Sequence, residues 1–495
     1  HNGVLFVLDG ENLLVTKQAD VPGVSYTAVG GDQEDGLLVG STTGLLERMK
    51  FKDGRLYSLG EIRAEGISSV NAILYSGEGY FAVGDTGFGY ADGNGQFEIL
   101  STDTFSSAVS DVMMDYQGNV WFSSTKQGIL KLCEIPFTDI FKKAEVSSAA
   151  VNAMLISDGI LYVGTDTGLL SLDVVTSKPV AKEFLSEFDG MRVRHIMEDS
   201  GGNLWVSTYG RDGLVEITKE GDLQFYRDGI TVTGKRFRFT MELKNGDIMA
   251  ASTDGISFLQ NGREVKHLGV EDGLVVTQIL SAVEKEDGTI LVGSDGDGIY
   301  EIRDREIIGH IGAEDGLLSL VVLRIVPCAD GYLYVTSSGL YYDKEGEALR
   351  KLDNFPYNNN YDVYIADNAA WVSSSAGIFV ADIDKLLGGE DYNYVLLDHI
   401  WGLDTTLTAN AWNVSDGNLL YLCCTDGVQR VDTAAYHAYD QNYRICMDSF
   451  RSNDEEVSLS DGVYRIPAGS GRIQITPAVL NFTASNPLIR LWMEG

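Results

Sequence analysis

Eight residues of this chain have the types and spacing to grip a small polar molecule: Arg194, His195, Arg238, Gln278, Arg324, Tyr361, Asn410 and Trp412. Most stand at or near the onset of a short apolar stretch, as in VRHIMED from Val193 and LRIVPC from Leu323. An arginine fork fixes two oxygens of a carboxylate or phosphate at once, and a flat ring stacks on an apolar ligand face. The set suits an anionic or sugar ligand. Arg192, Lys235 and Arg236 add cations beside it. A second reading stays open, in which each arginine only neutralises an acidic neighbour such as Glu198 or Asp199.

No catalytic constellation accompanies these residues. The six histidines (His1, His195, His267, His310, His399, His437) show neither HxH nor HExxH spacing, and the chain has no GxSxG or Walker motif. Asp295 and Asp297 offer too few oxygens for a hard cation and read as turn formers. The five cysteines (Cys133, Cys328, Cys423, Cys424, Cys446) are odd in number and irregular in spacing, which argues against a disulfide framework or a zinc site. The expectation is a binding protein without catalytic residues, metal or cofactor.

What positions the eight residues is a repeat. A strand–Gly–strand phrase begins at Gly36, Gly79, Gly118, Gly159, Gly202, Gly246, Gly288 and Gly331, at spacings of 43, 39, 41, 43, 44, 42 and 43 residues, and again at Ala369 and Gly417. That period suits four short strands with turns, and Gly/Asp-bracketed stretches such as GNLWVSTYGRDGLVEI carry no helical apolar stripe. The fold expected is all-β, made of β-propeller blades. In each hairpin a glycine (Gly44, Gly128, Gly168, Gly213, Gly255, Gly298, Gly427) sits where positive φ is called for. The apolar strand ahead of each hairpin would be the innermost, so the loops entering it ring the mouth of a channel.

Counting a fragment at Gly3 there are eleven copies, too many for one ring of ordinary size. The Pro-containing, charged segment Cys133–Val151 departs from the repeat, which places a boundary near Phe141. Residues 1–140 would then be propeller blades of a first, incomplete ring, with one small degenerate ring as the alternative, and 141–435 a seven-bladed propeller. Beyond Tyr436 the period breaks, and 436–495 reads as strands of another sheet. Net charge is −35, with 72 acidic against 37 basic residues, so a nucleic acid backbone would be repelled. No apolar run is long enough to cross a bilayer, and the chain opens at His1, so a processed portion of a larger protein is expected.

Three stretches carry a family resemblance: Phe188–Ile217, Val270–Ile302 and Ala313–Asp343. With their Gly-X-Leu-Trp-Val core they are similar to the two-component regulator propeller repeat, which covers roughly residues 1–435 here; Trp stands at the strand position only as Trp121, Trp205 and Trp371. The tail Ser458–Gly495 resembles the opening of the triple-tyrosine domain, an immunoglobulin-like β-sandwich, with LWMEG at its end. The resemblance implies an extracytoplasmic sensor domain, in the periplasm or on the outer face of the membrane, of a membrane-anchored signalling protein with a histidine kinase or diguanylate cyclase output. It implies an oligosaccharide or other small-molecule ligand and a homodimer in signalling. The alternatives are a propeller hydrolase or lyase acting on polysaccharide, and a protein-interaction scaffold. The Ser-X-Asp-X-Gly-X-Thr-Trp box of sialidase-type propellers is only half kept in STDGISF from Ser252, which lacks the Thr-Trp.

Overall fold

The computed structural model describes residues 3–9, 12–31, 36–102, 104–133, 135–210, 213–328, 330–434, 443–466, 468–469 and 471–483. They form an almost wholly antiparallel β structure in two compact units, one of His1–Glu134 with Asp440–Gly495 and the other of Ile135–Tyr439.

Two recurring pieces of local chemistry shape the blades. In the copy at Gly202 the Asp199 carboxylate ends the inner strand. It accepts the Gly201 and Asn203 backbone N–H at 2.9 Å each, the Asn203 amide at 3.0 Å and the Trp205 indole N–H at 2.8 Å. One carboxylate thus closes the turn and anchors the tryptophan of the next strand. Asp115, Asn119 and Trp121 repeat the arrangement in the other unit. The second strand Leu204–Thr208 is buried along its whole length, because neighbouring blades cover both its faces. Thr208 then ends it by donating its hydroxyl to the Gly213 carbonyl at 2.7 Å, as Thr165, Ser294, Thr336 and Ser374 do to Gly168, Gly298, Gly339 and Gly377.

Gly213 has φ +69°, and a Cβ there would stand 2.4 Å from the Tyr226 carbonyl, so the position excludes a side chain twice over. Gly427 corrects the expectation that all these glycines share one reason. It is absent from the positive-φ residues, and the Phe141 ring fills the space its Cβ would take.

Among the described residues the second unit contains seven sheets, with inner strands Val151–Ser157, Val193–Glu198, Phe239–Glu242, Ile279–Glu284, Val322–Cys328, Asn360–Ala366 and Val414–Asp416. We number these blades one to seven. Apolar residues pack between blades rather than within them: Met249 and Phe258 of blade three meet Val292 and Tyr300 of blade four. Glutamates at the ends of inner strands tie neighbours together, Glu242 accepting from Ser200 at 2.6 and 2.7 Å and Glu284 from the Lys244 N–H at 2.7 Å. Blade seven meets blade one where Trp412 N–H donates to Asn152 O and Met154 N–H to Trp412 O, at 2.8 and 3.0 Å.

Not every copy makes four strands. Blade one has three, because its chain returns alongside the third strand only at the Leu172–Pro179 bridge, held by Asp173 N–H to Lys178 O and Val180 N–H to Ser171 O, both 2.9 Å. The copy at Gly118 also has three. After Leu132 its chain crosses into the second unit, where Phe137–Asp139 becomes the outer strand of blade seven, against Val428–Asp432. The compact unit therefore starts at Ile135, ahead of the break expected near Phe141.

The first unit holds a hairpin at Val4–Gln18 and three blades with inner strands Tyr26–Gly31, Val70–Tyr75 and Val109–Met114. The tail, read from sequence as separate, packs in this unit. Arg444–Ser452 pairs with Ile473–Leu480, Gln117 Nε2 donates to Asn481 Oδ1 at 3.2 Å, and the Phe482 ring lies 5.7 Å from Trp121. The LWMEG segment lies outside the described residues.

Candidate ligand site at the channel mouth

The geometry of the site follows from one recurring irregularity. In blades one, two, four, five and six the pairing of the inner strand skips a residue near its start: Asn152, Arg194, Leu280, Leu323 and Tyr361. A bulge of this kind turns the skipped side chain out of the ladder and re-aims the one that follows. In blade three, Arg238 donates its backbone N–H to Ala251 O and the ladder continues from Phe239, which gives Arg238 the corresponding place.

Two tiers result. The upper holds Asn152, Arg194, Arg238, Leu280, Leu323 and Tyr361. Below it stand Ala153, His195, Phe239, Ser281, Arg324 and Asp362, with Trp412 brought in by its bridge to Ala153. Arg324 therefore matches His195 in the repeat, not Arg194. Arg194 and Arg238 thus stand at corresponding places, and Arg324 does not.

The lower tier is packed. The His195 ring lies 4.9 Å from Phe239 and 4.5 Å from Trp412, and Phe239 stacks on Trp412 at 4.9 Å. The Thr240 N–H donates to His195 Nδ1 at 3.4 Å. Burial, with Arg324 adding to it, pushes the imidazole down to about 3, so it is neutral near pH 7. Arg324 is 3% exposed, with its guanidinium carbon 3.8 Å from the centroid of the Trp412 ring and Nε 3.8 Å from Asp362 Oδ1. Burial raises the Asp362 carboxyl above its usual range, while Arg324 and Asn413 pull against that.

The upper tier is cationic where blades two and three supply it. Arg194 Nη1 donates to Asn152 Oδ1 at 3.0 Å and Nη2 reaches Asn410 O at 3.5 Å. Burial, then Arg192, Arg238 and Arg324, push its guanidinium down to about 10, which leaves it charged at neutral pH. Arg236 and Arg238 lie over the Tyr209 ring at 5.3 and 5.5 Å. Burial raises the Tyr209 phenol, but Arg238 and Arg236 outweigh it and the net shift is downward. Arg192 pairs with Asp166 at 2.8 Å. Among the described residues no carboxylate forms an ion pair with Arg194, Arg236 or Arg238, and the buried Nε of Arg238 has no hydrogen-bond partner.

Of the eight residues singled out in the sequence, the structure gathers Arg194, His195, Arg324, Asn410 and Trp412 by direct contact. Arg238 joins through its charge on Arg194. Gln278 and Tyr361 are half-buried and share no hydrogen bond or ring contact with the group. Sequence reasoning missed Asn152, Tyr209 and Asp362. Aligning the repeats at the bulge would have found Asn152, which stands where Arg194 does; nothing in the repeat marks Tyr209. A separate cleft of about 690 Å³, lined in part by Asp247, Glu284, Glu286 and Asp287, is acidic and already paired, with Arg305 2.5 Å from Asp247.

Residues 187–210 match the family model described as two component regulator propeller, a segment that holds Arg194, His195 and the Asp199–Trp205 turn. No curated protein sequence matches the chain. Among solved structures, the extracellular domain of a protein described as a hybrid two component system from B. thetaiotaomicron superposes with a TM-score of 0.72 over 94% of this chain and 65% of its own, at 16% identity. The extracellular domain of a one component system from the same organism does so with a TM-score of 0.51, over 90% and 62%, at 17% identity. Virginiamycin B lyase from Staphylococcus aureus gives 0.46 over 60% of this chain and 99% of its own, at 10% identity. The chain thus spans less than two thirds of either extracellular domain, and at these identities the likeness carries the fold.

Proposed function

We propose that this chain is part of the extracytoplasmic, ligand-sensing region of a membrane-anchored bacterial signalling protein, and that its ligand is an acidic carbohydrate bound at the mouth of the second unit. The observation that carries the ligand reading is the pair Arg194 and Arg238, cations that form no ion pair among the described residues, with Arg238 over Tyr209 and an aromatic floor below. In a chain of net charge −35 such a group is where an anion gains most from bidentate hydrogen bonds. The propeller repeat and the likeness to extracellular domains of two component and one component systems support the sensor role. Signalling through a homodimer belongs to the same reading.

Glycan hydrolysis or elimination fits the mouth less well. His195 is enclosed by rings and unprotonated at neutral pH, and the half-buried Asp362 is engaged by the Asn413 amide and faces Arg324, so neither is free to serve a substrate as an acid or base.

The test is a thermal-shift and calorimetric comparison of oligogalacturonides with uncharged oligosaccharides. An acidic sugar should raise the melting temperature in proportion to the logarithm of its concentration above Kd. Arg194→Ala with Arg238→Ala should weaken it at least about tenfold, the effect of losing charge-assisted hydrogen bonds. Equal stabilisation of wild type and double variant would move the site elsewhere.

A further inference from the structure

Blade seven breaks the pattern that the other blades share. Its inner strand is three residues long, Val414–Asp416, and the residues before it, Asn410–Asn413, cross toward blades one and two. Asn410 has φ +54°, a left-handed turn that asparagine tolerates and that sends the chain inward.

This short segment is gripped from two sides. From blade five, Arg324 donates Nη1 to Asn410 Oδ1 at 3.0 Å and to Leu323 O at 2.6 Å, and Nη2 to Ala411 O, while its flat face covers the Trp412 ring. From blade six, Asp362 accepts the Asn413 amide at 3.1 Å and faces Arg324 Nε. Opposite, Asn152 O, Met154 N–H and Arg194 hold Trp412 and Asn410. Only a planar fork can satisfy several acceptors and stack on a ring together; an ammonium would keep the charge and lose the geometry.

We infer that Arg324 is a positioning residue: it latches Asn410–Asn413 across the channel and so fixes the Trp412 ring as the floor of the mouth. Its bearing on ligand rests on the reading given above, since the floor sets the depth of the cationic site, and Arg194 touches both. Arg324 itself touches no ligand, being enclosed on every side by the groups it holds.

The test uses the full chain and the emission of Trp412, obtained by subtracting the spectrum of each protein's own Trp412→Phe counterpart. Arg324→Lys keeps the charge near Asp362 but removes the fork. Asn410→Gly keeps the left-handed turn and removes the acceptor. Both should raise acrylamide quenching of Trp412 at least threefold, with an unchanged far-UV circular dichroism spectrum. Trp412 staying as protected in these variants as in wild type would overturn the latch; should Arg324→Lys not fold, Asn410→Gly decides alone. The ligand reading fails separately: if no oligogalacturonide stabilises wild type while quenching rises as expected, the latch stands without it.

Discussion

His195 shows how one position in a repeat is put to different uses by its neighbours. The tier it occupies holds Phe239, Arg324 and Asp362 in other blades, and each is matched to the ring or charge beside it. An imidazole between two aromatic rings cannot take up a proton without losing solvation, so its folded pKa of about 3 lies well below the ordinary 6.5. The unfolded chain binds that proton first. Its contribution to stability is fully present above pH 6.5 and is lost as the pH falls toward 3. Between pH 6.5 and 5, before carboxylates titrate, the slope should approach about 1.4 kcal/mol per pH unit. His195→Phe should remove this slope while adding a constant cost for the Thr240 N–H left without its acceptor. Urea unfolding at several pH values separates slope from offset; parallel lines for the two proteins would show that His195 titrates normally.

At the scale of the blade, much was legible because the residues that make the turn also write the repeat. The Gly-Asn-Leu-Trp phrase keeps its spacing because Asp199 must reach Asn203 and Trp205 together, and the Ser/Thr before the hairpin glycine keeps its place because its hydroxyl bonds that glycine's carbonyl. What was not legible was register. The count back from the repeat glycine does separate Arg194 and Arg238, eight residues before Gly202 and Gly246, from Arg324, seven before Gly331. A bulge is defined by the partner strand, however, so nothing in the linear sequence shows which of these side chains it re-aims, or that Trp412 leaves its blade. The same turn yields a prediction. Burial tends to raise the Asp199 carboxyl, but the Trp205 indole, the Asn203 amide and backbone N–H groups outweigh it and hold it below the usual carboxylate range. That stabilisation is present above the unfolded value of 3.8 and lost as the pH falls through the folded one. Asp199→Ala leaves an indole N–H of a 3% exposed tryptophan without a partner, which should cost about 2–3 kcal/mol. Asp199→Asn, which keeps a carbonyl acceptor, should cost about half of that. Urea midpoints give both numbers, and a Trp205 emission maximum unmoved in the alanine variant would count against the anchor.

For the whole molecule, the decisive feature is that the second unit closes on itself with strands from both of its ends. Blade seven takes Val414–Asp416, Leu419–Cys423 and Val428–Asp432 from the end of the unit and Phe137–Asp139 from its beginning. The helix that follows, Ile140–Ala144, buries Ile140 and Phe141 against blades one and seven and is capped by Asp139, whose carboxylate accepts the Lys142 N–H at 2.9 Å. Sequence reading placed a domain edge at this helix because the repeat text lapses there, yet the lapse marks the closure, where an outer strand and a plug replace a hairpin. Phe141 also explains Gly427, since any larger residue there would meet its ring. Residues 135–439 should therefore fold alone with one cooperative transition, and a version beginning at Ser147 should not behave likewise. Removing the strand bares the edge of Val428–Asp432, an aggregation hazard. Phe141→Ala, which empties a 3% exposed ring site, should cost about 3–5 kcal/mol within the intact unit. Calorimetry and light scattering on the three proteins measure this directly. If the shortened unit melts as sharply and stays as monomeric as 135–439, closure by the first strand contributes nothing and the seven blades hold together by their mutual packing alone.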